Sequence, residues 1–398
     1  MVEDIDIAVI GGGPAGLRAA EVAANLGRKV VIFDGKPSLG RKFLVAGKGG
    51  LNITHSEELG AFISRYSGGE IWESILRDFD STALREWCSG LGQETFRASS
   101  GRVYPTALKG APLLRAWLAR LRDLGVEIRP KHKWLARSAD GILHFENGIE
   151  IRARSAVFAL GGASWPKTGS DGSWLDSFGE MGIACIPLES ANCGWECPWS
   201  VAVLAAAEGF PIKNISVSAG ATALSGELML TRYGLEGGTI YALGRELRAM
   251  AKPAIQIDFK PTFSSEQLVS KLAGVTGNFL EAATRQWRLS PPAAAILGRK
   301  SYDSREALAA EAKACRIELS GPRPIAEAIS SAGGLCWSEL DADLMLKKAA
   351  GVFICGEMLD WEAPTGGYLL QGAFATGTRA GIAAANYRSG RDLGLTSL

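Results

Sequence analysis

The segment Ile5–Asp34 constrains the fold more than any other part of the chain. Ile5-Asp6-Ile7-Ala8-Val9-Ile10 is an apolar, β-branched run with the length of a buried parallel strand. It ends in Gly11-Gly12-Gly13-Pro14-Ala15-Gly16, and a helical pattern follows from Leu17 to Leu26, with Gly27 placed for a left-handed cap. A second strand, Lys29 to Phe33, finishes at Asp34. Gly11 permits the tight turn, Gly13 lets backbone come against a pyrophosphate, and Gly16 lets the helix lie close to the strand. The helix N-terminus offers oriented N–H groups and partial positive charge. Asp34, at the tip of the second strand, is placed to accept hydrogen bonds from an adenosine ribose. A lone GxGxxG is a weak signal. Strand, glycines, helix, cap, strand and acid in that order read as a dinucleotide-binding unit.

The motif by itself leaves NAD and FAD open. Gly40-Arg41-Lys42 brings two cations soon after Asp34, and Ala46-Gly47-Lys48-Gly49-Gly50-Leu51-Asn52 is a second glycine-rich stretch. Near the other end, Val352-Phe353-Ile354-Cys355 reads as a buried strand leading to Gly356-Glu357. Thr365-Gly366-Gly367-Tyr368-Leu369-Leu370-Gln371-Gly372 follows, then a small-residue helix from about Ala373 to Tyr387. A second helix N-terminus there would stabilise negative charge on the pyrimidine end of a reduced isoalloxazine. Glycine-rich contacts from such distant parts of the chain favour FAD.

The chain has 398 residues, which favours two or three domains. Its 43 lysines and arginines nearly cancel 42 aspartates and glutamates, so no global basic excess points to nucleic acid as the partner. Seven scattered cysteines predict reduced thiols and a cytoplasmic protein. Three histidines and one close cysteine pair, Cys193 and Cys197, do not assemble a zinc site, so no metal is expected. No apolar run is long enough for a membrane span, and the acidic start is not that of a signal peptide.

Five passages resemble the YhiN/BaiN-type flavoproteins, the NAD(P)/FAD-dependent or aminoacetone oxidase-like oxidoreductases. They are GRKFLVAGKGGLNITHS (Gly40–Ser56), GRVYP (Gly101–Pro105), GGASWPKTGSDG (Gly161–Gly172), LTRYGLEGG (Leu230–Gly238) and GEMLDWEAPTGGYLLQGAFATGTRAG (Gly356–Gly381). The resemblance runs end to end and is strongest for a subgroup with AGKGGLN. It implies an FAD-containing fold with a substrate domain inserted in the FAD domain. It also implies FAD contacts at Ala15, Asp34, Arg41, Lys42, the backbone near Trp134, Glu357, and Gly367 to Gly372. Most members read SGGGRCN where this chain reads AGKGGLN. Gly50 and Leu51 therefore stand in place of an arginine and a cysteine, and Lys48 brings a cation two residues earlier. Thiol or guanidinium chemistry at those two positions is excluded here.

The fold expected is α/β: a Rossmann-like FAD-binding domain, the glutathione-reductase-type half, with an inserted β-rich substrate domain and a helical subdomain. Expected boundaries are 1–187 plus 344–398 for the FAD domain, 188–240 plus 315–343 for the β-rich domain, and 241–314 for the helical insertion. Within the first, 149–153 reads as the end of a small antiparallel meander and 156–160 as a separate buried strand. The full cofactor set expected is Gly11, Gly13, Pro14, Ala15, Gly16, Asp34, Gly35, Arg41, Lys42, Gly47, Lys48, Gly49, Asn52, Lys133, Trp134, Gly161, Gly356, Glu357 and Gly366 through Gln371 (Gly367, Tyr368, Leu369 and Leu370 included).

No second strand–GxGxxG–helix unit occurs, so any NAD(P)H must bind transiently at the flavin face. No catalytic side chain is identified; the candidates near the flavin are Lys48, Asn52 and Tyr368. Lys48 reads equally as electrostatic support for reduced flavin or as a solvated loop lysine. Asn52 is expected to hold its loop, and His55 to make a plain polar contact. Tyr104 and Tyr368 read more readily as packing than as pocket walls. The function expected is FAD-dependent oxidoreduction of a small molecule by hydride transfer to or from flavin N5, with no membrane and an open oligomeric state. The rival is a flavin-bound interaction or RNA-associated protein whose redox activity is incidental.

Overall fold

The structure, a computed structural model, describes residues 1–46 and 49–388, so the expectations for Gly47 and Lys48 lie outside the described residues. The chain forms two compact units, Met1–Glu189 with Ser330–Leu398, and Ser190–Ile329.

The first unit is built on a seven-stranded sheet. Strand β1 (Val2–Ile10) leads through α1 (Pro14–Asn25) to β2 (Val30–Asp34), and the two strands pair in parallel. A short helix α2 (Arg41–Val45) follows, then a small separate sheet of β3 (Thr54–His55), β4 (Thr95–Arg97) and β5 (Arg102–Pro105). The helix Gly110–Asp123 crosses back to β6 (Glu127–Pro130), which pairs in parallel with β2. Then come β7 (Trp134–Arg137), β8 (Ile142–Phe145) and β9 (Glu150–Phe158). The order β6-β2-β1-β9 is that of a doubly wound parallel sheet.

Strand β9 serves two purposes. Along one edge it lies parallel to β1 for its whole length; along the other its first residues pair antiparallel with β8. Further on, Ala156, Val157 and Phe158 pair in parallel with the late strand Val352–Ile354. The sequence pattern predicts a break in this strand at Arg154-Ser155. The structure carries it through, because Arg154 Nε pairs with Asp6 on the adjacent β1 and Ser155 Oγ donates to Ala384 O. A paired charge does not interrupt a ladder.

The C-terminal helix, Tyr368–Asn386, packs lengthwise on α1. Its small residues explain how. A Cβ added at Gly377 would overlap the backbone of Ala15, and one at Gly381 would lie 2.6 Å from Ala19 O. The helix starts five residues earlier than expected, since Gly366 and Gly367 (φ +123° and +99°) complete the turn before it. At the centre of α1, buried Glu21 accepts hydrogen bonds from the indoles of Trp87 (2.8 Å) and Trp117 (2.9 Å), while Arg18 and Arg120 pair with it at 3.2 Å. That clasp ties α1 to two other helices.

The second unit is a seven-stranded antiparallel sheet, ordered Cys315–Glu318, Ala254–Asp258, Pro211–Ala219, Thr222–Thr231, Gly234–Glu236, Trp195–Glu196, Gly321–Pro322. The helices between 241 and 314, expected to stand apart, share one apolar core with it. Leu247, Leu268, Trp287, Ile296 and Leu308 pack in the same cluster as Ile215, Val217, Leu228 and Ile257. Ala254–Asp258 pairs with strands on both sides, so those helices have no separate core. Residues 330–343, expected in the insertion, belong to the first unit.

Candidate functional site

The first element of the site is the α1 N-terminus. Gly11 has φ +109°, and a Cβ there would overlap Ala159 O; at Gly16 one would overlap Gly11 O. Those two glycines are required by backbone contacts inside the protein. Gly13, the residue before Pro14, has nothing within 4 Å of its Cβ position. The chain leaves that space free. Pro14 has no N–H, and those of Ala15 and Gly16 have no carbonyl of their own helix to bond.

Asp34 ends β2 inside the fold. Its Oδ2 accepts from Gly12 N (2.9 Å) and its Oδ1 from Lys36 N (2.7 Å). Burial pushes its carboxyl above the usual carboxylate range, against those two donors and the nearby Lys36 and Arg41. Asp34 thus fixes the glycine turn as well as ending the strand. Beside it, His132 N donates to Asp34 O (2.8 Å), and a Cβ at Gly35 would lie 3.2 Å from Lys133 Cβ. Trp134 is buried in an aromatic group with Phe158 and Phe178, and its Nε1 has no partner. Gly161 (φ +75°) gives its carbonyl to Trp174 Nε1 at 2.8 Å.

Helix α2 opens after Gly40, whose φ is +66°. Arg41 Nη1 donates to Ser38 Oγ (3.2 Å), while its buried Nε has no partner. Lys42 Nζ donates to Ser164 Oγ and to Glu357 Oε2, both at 2.6 Å. Three distant chain regions meet at one ammonium group. Gly356 (φ +74°) comes to the same wall: its N donates to Thr376 Oγ1 (3.0 Å), and a Cβ there would sit 2.9 Å from Ala15 Cβ.

The second glycine stretch returns as the chain approaches β3. Gly49 has open space at its Cβ position. Backbone bonds hold the loop, Leu51 N to Leu108 O (2.7 Å) and Ile53 N to Val103 O (3.0 Å). Asn52, expected to hold it, instead has a buried Oδ1 without a partner. Gly367 lies on Thr54, where a Cβ would come within 2.5 Å of Thr54 Cα. Thr54 Oγ1 and Gln371 Oε1 are both buried and unpartnered; Gln371 Nε2 donates to Phe79 O (2.7 Å). Leu369 and Leu370, half-buried, pack against the core.

Tyr368 anchors a polar cluster. Its hydroxyl donates to Glu57 Oε1 (2.6 Å), and Arg65 grips the same carboxylate through Nε (3.2 Å) and Nη2 (2.9 Å). Burial raises the Glu57 carboxyl, but the bonds from Arg65 and Tyr368 outweigh it, so its net shift is downward. Burial, with Glu57 as acceptor, holds the Tyr368 phenol well above its ordinary value. The His55 ring stacks on Tyr368 (5.5 Å, 19°). His55 Nδ1 accepts from Glu57 N (3.1 Å), which leaves the ring proton on Nε2, facing Ser100 O (3.0 Å). Trp361 is a core residue, packed on Tyr66 and Trp72.

Ser164, Thr54, Glu57 and Arg65 are the polar residues that the sequence did not single out. Ser164 and Thr54 sit within the quoted motifs; nothing local marks Glu57 or Arg65. The unsatisfied buried atoms of Arg41, Asn52, Thr54, Trp134 and Gln371, with the free space at Gly13 and Gly49, suit a long ligand with polar atoms along its length.

Residues 5–383 match the HI0933-like protein Rossmann domain. The chain belongs to the HI0933-like family. This bears out the resemblance to YhiN/BaiN-type flavoproteins. A 3-dehydro-bile acid delta(4,6)-reductase from Clostridium scindens is 27% identical over 406 residues, covering 95% of this chain and 98% of the relative. A ribosomal RNA dihydrouridine synthase from Escherichia coli is 22% identical over 394 residues, covering 94% and 96%. In fold, the HI0933-like chain is similar to a 3-ketosteroid-delta4-(5alpha)-dehydrogenase from Rhodococcus jostii RHA1 in complex with 4-androstene-3,17-dione (TM-score 0.54, 15% identity, 96% of this chain and 97% of that one). It is also similar to a flavocytochrome c3 fumarate reductase (TM-score 0.53, 15% identity, 96% and 78%). The HI0933-like fold is an FAD-binding Rossmann fold, and the class is FAD-dependent oxidoreductase. Among the described residues no helix is long and apolar enough to cross a membrane.

Proposed function

We propose that the protein carries out hydride transfer to or from flavin N5 on a small molecule, with NAD(P)H as a transient reductant. The observation that carries this reading is the Lys42–Ser164–Glu357 contact. It joins the first glycine unit to the chain that precedes the last helix, as a ligand spanning adenosine and isoalloxazine requires. FAD would supply the hydride chemistry at N5.

The chain's own residues have separate tasks. The α1 N-terminus, with Arg41 and Lys42, would hold the diphosphate, and Gly11, Gly13, Ala15 and Gly16 would shape its approach. Asp34, Gly35, Lys133, Trp134 and Gly161 would hold the adenosine. Asn52, Thr54 and Gln371 would offer polar atoms to the ring system, and the N-terminus of the C-terminal helix would stabilise negative charge on it. Tyr368 keeps its proton on a hydroxyl fixed by Glu57 and Arg65. The bile-acid reductase supports the reductive direction and an unsaturated carbonyl compound as the substrate. With free thiols throughout, the compartment proposed is the cytoplasm.

The test is direct. Purified protein should bind one FAD per chain, and anaerobic NADH or NADPH should bleach it, with reoxidation by an unsaturated ketone. Protein that shows no flavin spectrum and takes up no FAD would sink the reading. A steep, salt-dependent affinity for RNA would favour the interaction role instead.

A further inference from the structure

We propose that one face of the small sheet β3–β5–β4 is the substrate wall, and that Arg102 on it anchors a carboxylate of an otherwise apolar, ring-bearing substrate. This rests on the oxidoreductase reading and names the substrate class of the same site.

The register makes the face. His55 lies opposite Arg102, and Phe96 opposite Tyr104, in antiparallel pairs. Side chains alternate along a strand, so Arg102 and Tyr104 share one side while Val103 turns into the core. Phe96 stacks on Tyr104 (5.7 Å, 25°) and is 41% exposed, though a phenyl ring has every reason to be buried. Both glycine-rich segments of the site border this face. A Cβ at Gly50 would lie 3.4 Å from the Tyr104 ring and 3.5 Å from exposed Leu108; one at Gly366 would lie 3.8 Å from Arg102 Nε. His55, in turn, stacks on Tyr368. An apolar surface carrying the Arg102 cation thus adjoins the two segments that the cofactor reading uses.

The charge settles what the wall would hold. Among the described residues no carboxylate pairs with Arg102, which is exposed. The Glu57 carboxylate, two residues after His55, already accepts from Arg65 and Tyr368. A guanidinium fork matches a carboxylate through two parallel hydrogen bonds. Phe96, Tyr104 and Leu108 would meet flat or alicyclic apolar surface, not a sugar or a second charge. The ligand is therefore an amphipathic acid with its carboxylate at Arg102 and its ring system on the aromatic pair.

Calorimetric titration of the native protein with 2-naphthoate and 3-oxo-4-cholenoic acid, each beside its methyl ester, tests this. Both acids should bind about ten- to a hundredfold more tightly than their esters. Arg102→Gln should abolish that preference while ester binding stays the same, and Arg102→Lys should restore part of it. Equal binding of acid and ester, no binding of either acid, or a preference that survives Arg102→Gln overturns the assignment. So does a short uridine-rich RNA that binds through Arg102 when the acids do not. If the protein takes up no FAD yet prefers the acids through Arg102, the oxidoreductase reading fails and the anchor stands.

Discussion

Lys42 Nζ lies 2.6 Å from Glu357 Oε2, a contact between residues 315 apart in sequence. Both side chains are about four-fifths buried, so solvent screens the pair less than a surface bridge. Ser164 shares the ammonium group. If the clasp sets the distance between the two ends of an FAD site, breaking it should weaken cofactor binding more than folding. Lys42→Met is expected to raise the FAD dissociation constant about ten- to a hundredfold, the range for a lost charge-assisted hydrogen bond. Lys42→Met with Glu357→Gln should cost less than the sum of the two changes. Titration of deflavinated protein reads both.

Glu21 predicts a stability effect with no counterpart in the site. It is a carboxylate inside an apolar core, satisfied by two indoles and two arginines. Glu21→Ala leaves the Arg18 charge without its carboxylate partner and two indole N–H groups without an acceptor, at a cost of about 3–5 kcal/mol. Glu21→Gln keeps one acceptor oxygen and should cost less. Urea midpoints compared with the native protein decide this, and equal midpoints would contradict the clasp.

The Glu21 clasp also shows where the sequence stops being legible. A glutamate in the middle of a helix looks solvated, and its partners Trp87 and Trp117 stand 66 and 96 residues away. The βαβ unit was readable because its signals are local: apolar run, glycines, cap, acid. The clasp of Lys42 on Glu357 was half readable, since each residue sits in its own motif but nothing in either motif names the other. Ser164, Glu57 and Arg65 act only through tertiary contacts. The strand break expected at Arg154 and the late helix start expected at Ala373 share one cause. Arg154 finds its partner in Asp6, and Gly372, which reads as a break, lies inside the helix against Trp361 and Tyr66; the sequence shows neither contact. The helical segments from 241 to 314 read as a separate subdomain because helical periodicity does not reveal which sheet a helix covers.

Acid should act through Glu57. Its carboxyl titrates below the ordinary value of 4.5 in the folded protein. A lowered folded value means the stability it contributes is present above the unfolded value and lost as pH falls through the folded one. The native protein should therefore lose stability progressively below about pH 4.5, and Glu57→Gln should flatten part of that slope. Urea midpoints measured across that range give the answer; identical slopes for the two proteins would remove Glu57 from the account.

The three motif glycines give the sharpest separation of fold from ligand. Gly11 and Gly16 are hemmed in by Ala159 O and Gly11 O, so alanine at either position forces backbone apart. Both substitutions should lower the melting temperature of protein with and without FAD, each by an amount equivalent to about 1–3 kcal/mol. Gly13 differs. Its φ of −81° suits any residue, and its Cβ position meets no atom of the chain. Gly13→Ala should leave the melting temperature of the cofactor-free protein unchanged. If the free space belongs to a diphosphate, the same methyl group must collide with it, and FAD affinity should fall at least about tenfold, equivalent to 1.4 kcal/mol. A Gly13→Ala protein that binds FAD normally would mean that the space in front of α1 is not where the phosphates lie.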